Sequence, residues 1–232
     1  MFKKYSVFSD GIISDSNGYY LKNININNVK QLRINKFLIP TSFNTISASR
    51  GNNTLNIAGS TITIPDGQYS IAQLCNYLSP VLVALDATFT ITYSSINKFV
   101  TIARTTNFTF NLDLSKAAKL LGFASTGSLT GAATYTSTQA YNPMDLNAII
   151  FSCDKFKFNV CSESNRQYEN FITFIPVYNL PDNLIIYEPK YPIQFSYESG
   201  TVINNLYVNF YFVDGTVIDF KGVPFAFELE FN

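Results

Sequence analysis

The acidic side chains are the residues of this sequence that could do chemistry, because the chain has 16 Asp and Glu residues and no His. Without His it has no Ser-His-Asp or Cys-His nucleophile and no imidazole base. Two carboxylates could still form a glycosidase pair, but no pair has a diagnostic spacing. No run of oxygen ligands suggests a calcium site, and no glycine-rich phosphate motif is present. The sequence therefore predicts a protein that is not an enzyme and has no cofactor and no metal site.

The acids instead have the positions expected of turn formers and surface residues. Several aspartates lie in or beside predicted turns, where the carboxylate accepts backbone hydrogen bonds: Asp10, Asp15, Asp66, Asp214 and Asp219. Glu228 and Glu230 alternate with apolar residues near the end of the chain. We expect these two acids on the solvated outer face of a strand, where charge discourages edge-to-edge aggregation.

The cysteines offer no redox or metal motif. Cys75, Cys153 and Cys161 are odd in number and lack C-x-x-C spacing. We expect buried, reduced thiols in a protein made inside a cell. Cys153 and Cys161 could pair only if a hairpin brought them together.

Composition favours a packed protein that associates with others. The chain is 47% hydrophobic and 16% aromatic, but only 14% of its residues are charged and its formal net charge is zero. No Lys/Arg cluster indicates nucleic-acid binding, and no run approaches the ~20 apolar residues of a membrane span. Residues 1–11 lack the apolar core of a secretory signal. A surface this poor in charge suits a subunit of an assembly better than a soluble monomer.

The residues near the C-terminus predict the centre of the fold. Residues 206–213 alternate with a period of two, which indicates a strand with one apolar face. Asp214-Gly215 predicts a type I′ hairpin turn, and residues 216–220 form the expected returning strand. Residues 225–231 are a further strand, with Phe227 and Leu229 on its apolar side. We expect this last strand deep in a sheet.

A second long strand is predicted at residues 29–40. Leu32, Ile34 and Leu38 should share one face, with Phe37 and Ile39 on the other. Before it, residues 1–20 mix aromatics with turn residues. They read equally well as an arm that reaches a neighbouring subunit and as an edge strand of the same domain.

Residues 61–139 read as an insert with its own local signals. Ser70 and Gln73 form a capping box for a helix over residues 70–78 that Pro80 ends. Ser115 caps a second short helix over residues 116–121, which Gly122 closes. Residues 124–142 form an uncharged loop or linker. The expected organisation is an N-terminal arm (1–20), a main domain (21–60 and 140–232) and an inserted α+β module plus linker (61–139).

Many short strands joined by Gly, Pro and Asn turns favour an all-β sandwich or jelly roll. Four stretches together carry a more specific resemblance: Lys36-Phe37-Leu38-Ile39-Pro40, Ile64-Pro65-Asp66-Gly67-Gln68-Tyr69-Ser70, Leu120-Leu121-Gly122-Phe123, and Asp214-Gly215 with the closing strand to Phe231. In this order they resemble the minor capsid, or penton, proteins of virophages, polinton-like viruses and related large DNA viruses.

The resemblance implies a single jelly-roll β-sandwich with a small α+β insert and two short helices. It also implies a viral structural protein, made in the host cytoplasm and located in the virion. Such a subunit forms homopentamers at the icosahedral vertices and contacts the major capsid protein. The arm aromatics Phe2, Tyr5 and Phe8 are the candidate inter-subunit contacts.

A different function remains open at this point: a phage tail or spike protein, or a receptor-binding module that recognises carbohydrate. Tyr135, Tyr141, Tyr187 and Tyr191 are expected in loops, where their rings could stack on sugars.

Overall fold

The structure is a computed structural model that describes residues 3–9, 13–15, 18–21, 25–124, 126–144, 148–155, 159–161, 167–169, 171–177, 183–192 and 194–232. The chain divides into two compact units. Unit 1 is Met1–Phe43 with Leu146–Asn232, and unit 2 is Asn44–Asp145.

Within the described ranges the chain has seventeen strands and one α-helix. In chain order they are β1 (Lys3–Phe8), β2 (Ile13–Asp15), β3 (Gly18–Leu21), β4 (Ile26–Pro40), β5 (Thr54–Ile57), β6 (Ser60–Thr63), α1 (Ile71–Leu85), β7 (Thr90–Tyr93), β8 (Val100–Asn111), β9 (Ser128–Thr136), β10 (Ala148–Cys153), β11 (Asn159–Cys161), β12 (Gln167–Glu169), β13 (Phe171–Pro176), β14 (Leu184–Tyr187), β15 (Gln194–Ile203), β16 (Leu206–Phe212) and β17 (Ala226–Phe231). No helix in the described residues is long and apolar enough to cross a membrane.

Unit 1 is a sandwich of two five-stranded antiparallel sheets, which confirms the predicted all-β jelly-roll-like class. Sheet 1 has the order β1-β17-β4-β14, and β15 also pairs with β4. Sheet 2 has the order β13-β10-β16-β3-β2, and β11 with β12 forms a separate pair. The sheets face each other through aromatic rings. Phe37 and Phe227 of sheet 1 have ring centroids 5.0 and 5.5 Å from that of Phe151 in sheet 2.

The last strand lies inside sheet 1, as predicted. β17 pairs with β1 on one side and β4 on the other, and Phe227 and Leu229 are fully buried. The alternation predicted for β16 is also confirmed, since all four apolar side chains of its inner face are buried: Leu206, Val208, Phe210 and Phe212.

The predicted faces of β4 are wrong beyond residue 34, because a β-bulge interrupts the period. Lys36 pairs with Glu228 and Ile34 pairs with Leu229, so Asn35 is an extra residue on β4. A bulge moves the following side chains to the opposite face. Phe37 therefore points into the core beside Phe227, while Leu38 points outward.

The Asp214-Gly215 turn is present, but its type differs from the predicted type I′. Gly215 has a positive φ of 88°, whereas the described positive-φ residues do not include Asp214. The Gly215 N–H donates to the Phe212 carbonyl and the Phe212 N–H donates to the Thr216 carbonyl, which makes a three-residue loop with a glycine bulge. Residues 216–220 do not form the predicted returning strand; a single bridge pairs Val217 with Tyr211.

Unit 2 is a sheet with one helix against its apolar side. Its strands follow the order β6-β5-β8-β7, and β9 pairs with the other side of β8. The capping box is confirmed: the Gln73 N–H donates to Ser70 Oγ, and the Ser70 N–H donates to Gln73 Oε1. The unit begins earlier than the predicted insert, since β5 belongs to this sheet.

Three predictions about this unit are wrong. Helix α1 continues through Pro80 to Leu85, because Leu82 is fully buried in the core and the packing outweighs the lost hydrogen bond. Residues 116–121 form turns rather than a second helix, although the Phe123 N–H does donate back to the Ala118 carbonyl. The predicted linker contains strand β9, which pairs with β8.

Candidate functional site

The outer face of sheet 1 carries an apolar row that crosses four strands. Cross-strand pairing places Phe8 opposite Ala226, Ala226 opposite Leu38, and Leu38 opposite Ile186. All four point away from the core, because their strand neighbours Val7, Phe227, Phe37 and Ile185 are buried. Phe8 is 61% exposed and Ile186 is 62% exposed, whereas Leu38 is half-buried and Ala226 is 8% exposed. We call these four residues the outer row.

Charged side chains beside the outer row are paired across the same strands. Lys4 Nζ lies 2.9 Å from Glu228 Oε1, and Lys36 Nζ lies 2.6 Å from Glu188 Oε1. Arg33 forms an ion pair with Glu230. Three cations therefore meet three anions, and this part of the face is neutral.

Glu230 is the most enclosed of these acids, which corrects the expectation of a solvated pair at Glu228 and Glu230. Glu230 is 8% exposed. Asn35 lies at the bulge, and its Nδ2 donates to Glu230 Oε2 over 2.9 Å. This hydrogen bond and the bond from Arg33 hold the pKa of Glu230 below its usual range. The Lys36 ammonium likewise lowers the pKa of Glu188, by hydrogen bonding and by charge.

A small depression lies at one end of the outer row, on the same face. Its volume is about 250 Å³, and it is lined by Pro40, Thr41, Ser42, Asn183 and Leu184. Pro40 pairs with Leu184, two residues beyond the pair of Leu38 with Ile186. Thr41 Oγ1 donates to the Asn183 carbonyl and accepts from the Asn183 N–H. These two hydrogen bonds hold one wall of the depression in place. Leu184 is 54% exposed at its rim.

Of the three arm aromatics predicted as inter-subunit contacts, Tyr5 and Phe8 lie on opposite faces of β1. Phe2 lies outside the described residues. β1 is an edge strand of sheet 1, and Tyr5 lies opposite Leu229 on the side of the core. Only Phe8 belongs to the outer row. The alternation of side chains along β1 could have shown that Tyr5 and Phe8 lie on opposite faces. The sequence near Phe8, however, does not indicate that this residue pairs with Ala226 of β17.

The tyrosines proposed to stack on sugars are mostly engaged elsewhere. Tyr135 and Tyr187 lie in strands rather than loops, and the Tyr135 hydroxyl donates to the Phe108 carbonyl. The Tyr141 hydroxyl donates to the Tyr69 carbonyl. Tyr191 is the exposed ring of the four, at 81%.

The remaining predicted residues have structural positions. Asp214 and Asp219 each accept a backbone N–H two residues on, within a turn, as predicted. Asp66 accepts the N–H of Ala48, which lies in another loop. Asp10 and the side chain of Asp15 lie outside the described part. Cys75 and Cys153 are free and buried, and burial raises the pKa of the Cys75 thiol to about 11. The side chain of Cys161 is not among those described.

A larger cavity of about 650 Å³ lies in unit 1, lined by Asp154, Lys155, Gln194, Phe195, Ser196, Tyr197, Thr201 and Val202. Its charged groups neutralise each other, since Lys155 Nζ lies 2.9 Å from Asp154 Oδ2. The Asp154 carboxylate also accepts the Tyr207 N–H. Nowhere in the described ranges do three His, Cys, Asp or Glu side chains converge as metal ligands would.

Comparison with known proteins identifies the fold. No protein-family model matches the sequence, and no curated protein matches it. Among solved structures, the selenomethionine-labelled mavirus penton protein is similar over 100% of this chain and 99% of its own, with a TM-score of 0.50 and 12% sequence identity. The chain shares a penton-like fold. At this identity the likeness concerns the fold alone.

Proposed function

We propose that this chain is a structural protein of a viral capsid, a minor capsid subunit that forms pentamers at the icosahedral vertices. The observation that carries the proposal is the fold similarity to a mavirus penton protein over the whole length of both chains. The match therefore includes unit 2 as well as the sandwich.

The surface chemistry is consistent with this role. The chain has equal numbers of acidic and basic residues, so copies do not repel each other through net charge. Sheet 1 exposes an apolar row beside charges that are already paired. A neutral, partly apolar face gains more from a protein neighbour than from water or a polyanion.

In the proposed assembly the subunit also contacts the major capsid protein. The N-terminal arm, with its edge strands β1 and β2, is the candidate for these contacts, because unpaired strand edges readily pair with other chains. Synthesis in the host cytoplasm and incorporation into the virion belong to the same proposal.

Native mass spectrometry of the purified protein tests the stoichiometry. The expected mass is five times the 26.0 kDa of one chain. Labelled antibody should bind at the vertices of particles. A trimer would favour the tail, spike or receptor-binding alternative, and a monomer that is absent from virions would contradict the capsid role.

A further inference from the structure

The subunit of a closed ring needs two different surfaces, because each copy contacts one neighbour with one surface and the other neighbour with another. Unit 1 has two exposed apolar surfaces on opposite sides of the sandwich. The first is the outer row of sheet 1 with the depression at its end. The second is the edge of sheet 2, at β13.

Strand β13 is an edge strand without charge. It ends the order of sheet 2, and its sequence FITFIP contains no charged residue. Phe174 lies opposite Ile150 and is 49% exposed, whereas its neighbour Ile175 is buried. Natural edge strands usually carry charge that discourages pairing with other chains, so an uncharged edge with a half-exposed aromatic ring suits a protein contact.

The depression at the end of the outer row fits one side chain. Its volume of about 250 Å³ is below the ~300–1,000 Å³ of pockets that enclose small molecules. Its rim is apolar at Pro40 and Leu184, and exposed Ile186 lies beside it. Binding energy concentrates where an aromatic anchor fills such a pocket.

We infer that the outer row and its depression bind the β13 edge of a second copy of this chain, with Phe174 as the anchor. This inference rests on the proposed pentamer. The second copy is favoured over a charged partner because the ion pairs beside the row are already matched within the sheet. A nucleic acid or an anionic membrane would find no excess positive charge there.

The row is the centre of the contact and not its whole extent. Strands lie ~4.8 Å apart, so four of them span about 15 Å. A stable interface buries about 800 Å² on each partner, and the contact must therefore include the charged rows and neighbouring loops as its rim.

The test compares Ile186→Glu, Leu184→Glu and Phe174→Glu with Ile96→Glu. The first three substitutions place a charge in the proposed contact without burying it in the core of the subunit, because the side chains that they replace are already exposed. Ile96 lies in unit 2 and is 92% exposed, which makes it the matched control. We expect each contact variant to weaken assembly about 30-fold or more, as loss of an interface anchor does, with an unchanged circular dichroism spectrum. The control should assemble as the wild type does.

Mixing two defective variants distinguishes this contact from others. Ile186→Glu keeps an intact β13 edge, and Phe174→Glu keeps an intact outer row. Together they should form a dimer of twice 26.0 kDa and no ring. If Phe174→Glu assembles normally while Ile186→Glu does not, the β13 edge is not the partner and the inference is overturned.

Two further outcomes separate the inference from the proposed function. If pentamers form and survive all three substitutions, the contact is wrong and the pentamer stands. If pentamers survive but the variants no longer enter virions, the outer row binds another capsid protein, which also overturns the inference. A monomeric wild type would contradict both the ring and the contact.

Discussion

Single buried groups hold the segments that follow β16 in place. The Tyr19 hydroxyl donates to the Ile218 carbonyl over 2.9 Å and accepts the Phe220 N–H over 3.2 Å. Its ring packs edge-on against Phe225 with centroids 5.0 Å apart. Burial raises the pKa of this phenol. One side chain thus satisfies two backbone groups of a segment that has no regular strand pairing.

Tyr19→Phe should therefore lower the free energy of unfolding by about 1–3 kcal/mol, because two buried backbone groups lose their partner. Denaturant unfolding measures the loss. Tyr5→Phe is the control, since Tyr5 is 37% exposed, and its hydroxyl loss should change stability by about 0.5 kcal/mol or less. Equal effects of the two substitutions would show that the Tyr19 bonds contribute little.

Gly122 is required for space as well as for conformation. Its φ is +85°, and an added Cβ would lie 1.9 Å from the Gln139 carbonyl oxygen. Gly59 has a φ of +80° with nothing within 4 Å of the same position. Gly59→Ala should cost about 1 kcal/mol, the left-handed penalty, and Gly122→Ala should cost clearly more. Thermal unfolding of the two variants compares them, and equal midpoints would contradict the clash.

At the scale of elements, β17 is an interior strand of sheet 1 that joins β1 to β4. Phe227→Ala or Leu229→Ala should cost about 2–5 kcal/mol, because each leaves a cavity in the core on the buried side of sheet 1. Thermal or denaturant unfolding measures this, with Ile96→Ala as an exposed control. An unchanged midpoint in either core variant would contradict the assigned faces of β17.

The ion pairs across sheet 1 make its stability depend on pH on the acid side. In the folded protein, Glu188 and Glu230 have pKa values below the ordinary 4.5. Their contribution to the free energy of unfolding is therefore fully present above that pH. As pH falls through the folded values, the unfolded chain has already bound the protons and the contribution is lost. The melting temperature of the wild type should exceed that of Glu230→Gln at pH 7, and the difference should shrink below pH 4.5. A constant difference would contradict the pairing.

Elements with a regular period and local caps were predictable from sequence. β16 and β17 show their alternation over the whole strand, and the capping box at Ser70 needs only Gln73 three residues on. Prediction failed where packing or an irregular backbone decides the outcome. Pro80 remains inside a helix because the next turn is buried, and the faces of β4 exchange at a bulge that no residue type marks.

The candidate site was less predictable than the fold. Phe8, Leu38, Ile186 and Ala226 are far apart in sequence, and only the pairing of four strands brings them together. Phe8 was singled out only as a large aromatic residue of the N-terminal arm. Leu38 was expected on the same face as Leu32 and Ile34, and Ile186 had no distinguishing pattern.

At the scale of the whole molecule, the division into two units has a consequence for folding. Residues 44–145 contain a helix, five strands and a continuous apolar core that includes Leu78, Val100 and Phe110. We predict that this segment folds alone, because its core and its pairing partners are internal. Chemical-shift dispersion in a proton–nitrogen NMR spectrum of the fragment measures this. A collapsed spectrum would show that unit 2 depends on the rest of the chain.

The extra residue at Asn35 could be lost without an exchange of faces. Because the side-chain period of a strand is two, β4 has opposite parity before and after this residue. Loss of the single codon for Asn35 would place Ile34 directly before Lys36 and leave one regular alternation, in which Phe37 still faces the core and Leu38 still faces outward. A lineage that lost this codon would give up the amide that donates to Glu230, while the interior of the subunit and the surface it offers to others would keep their residues.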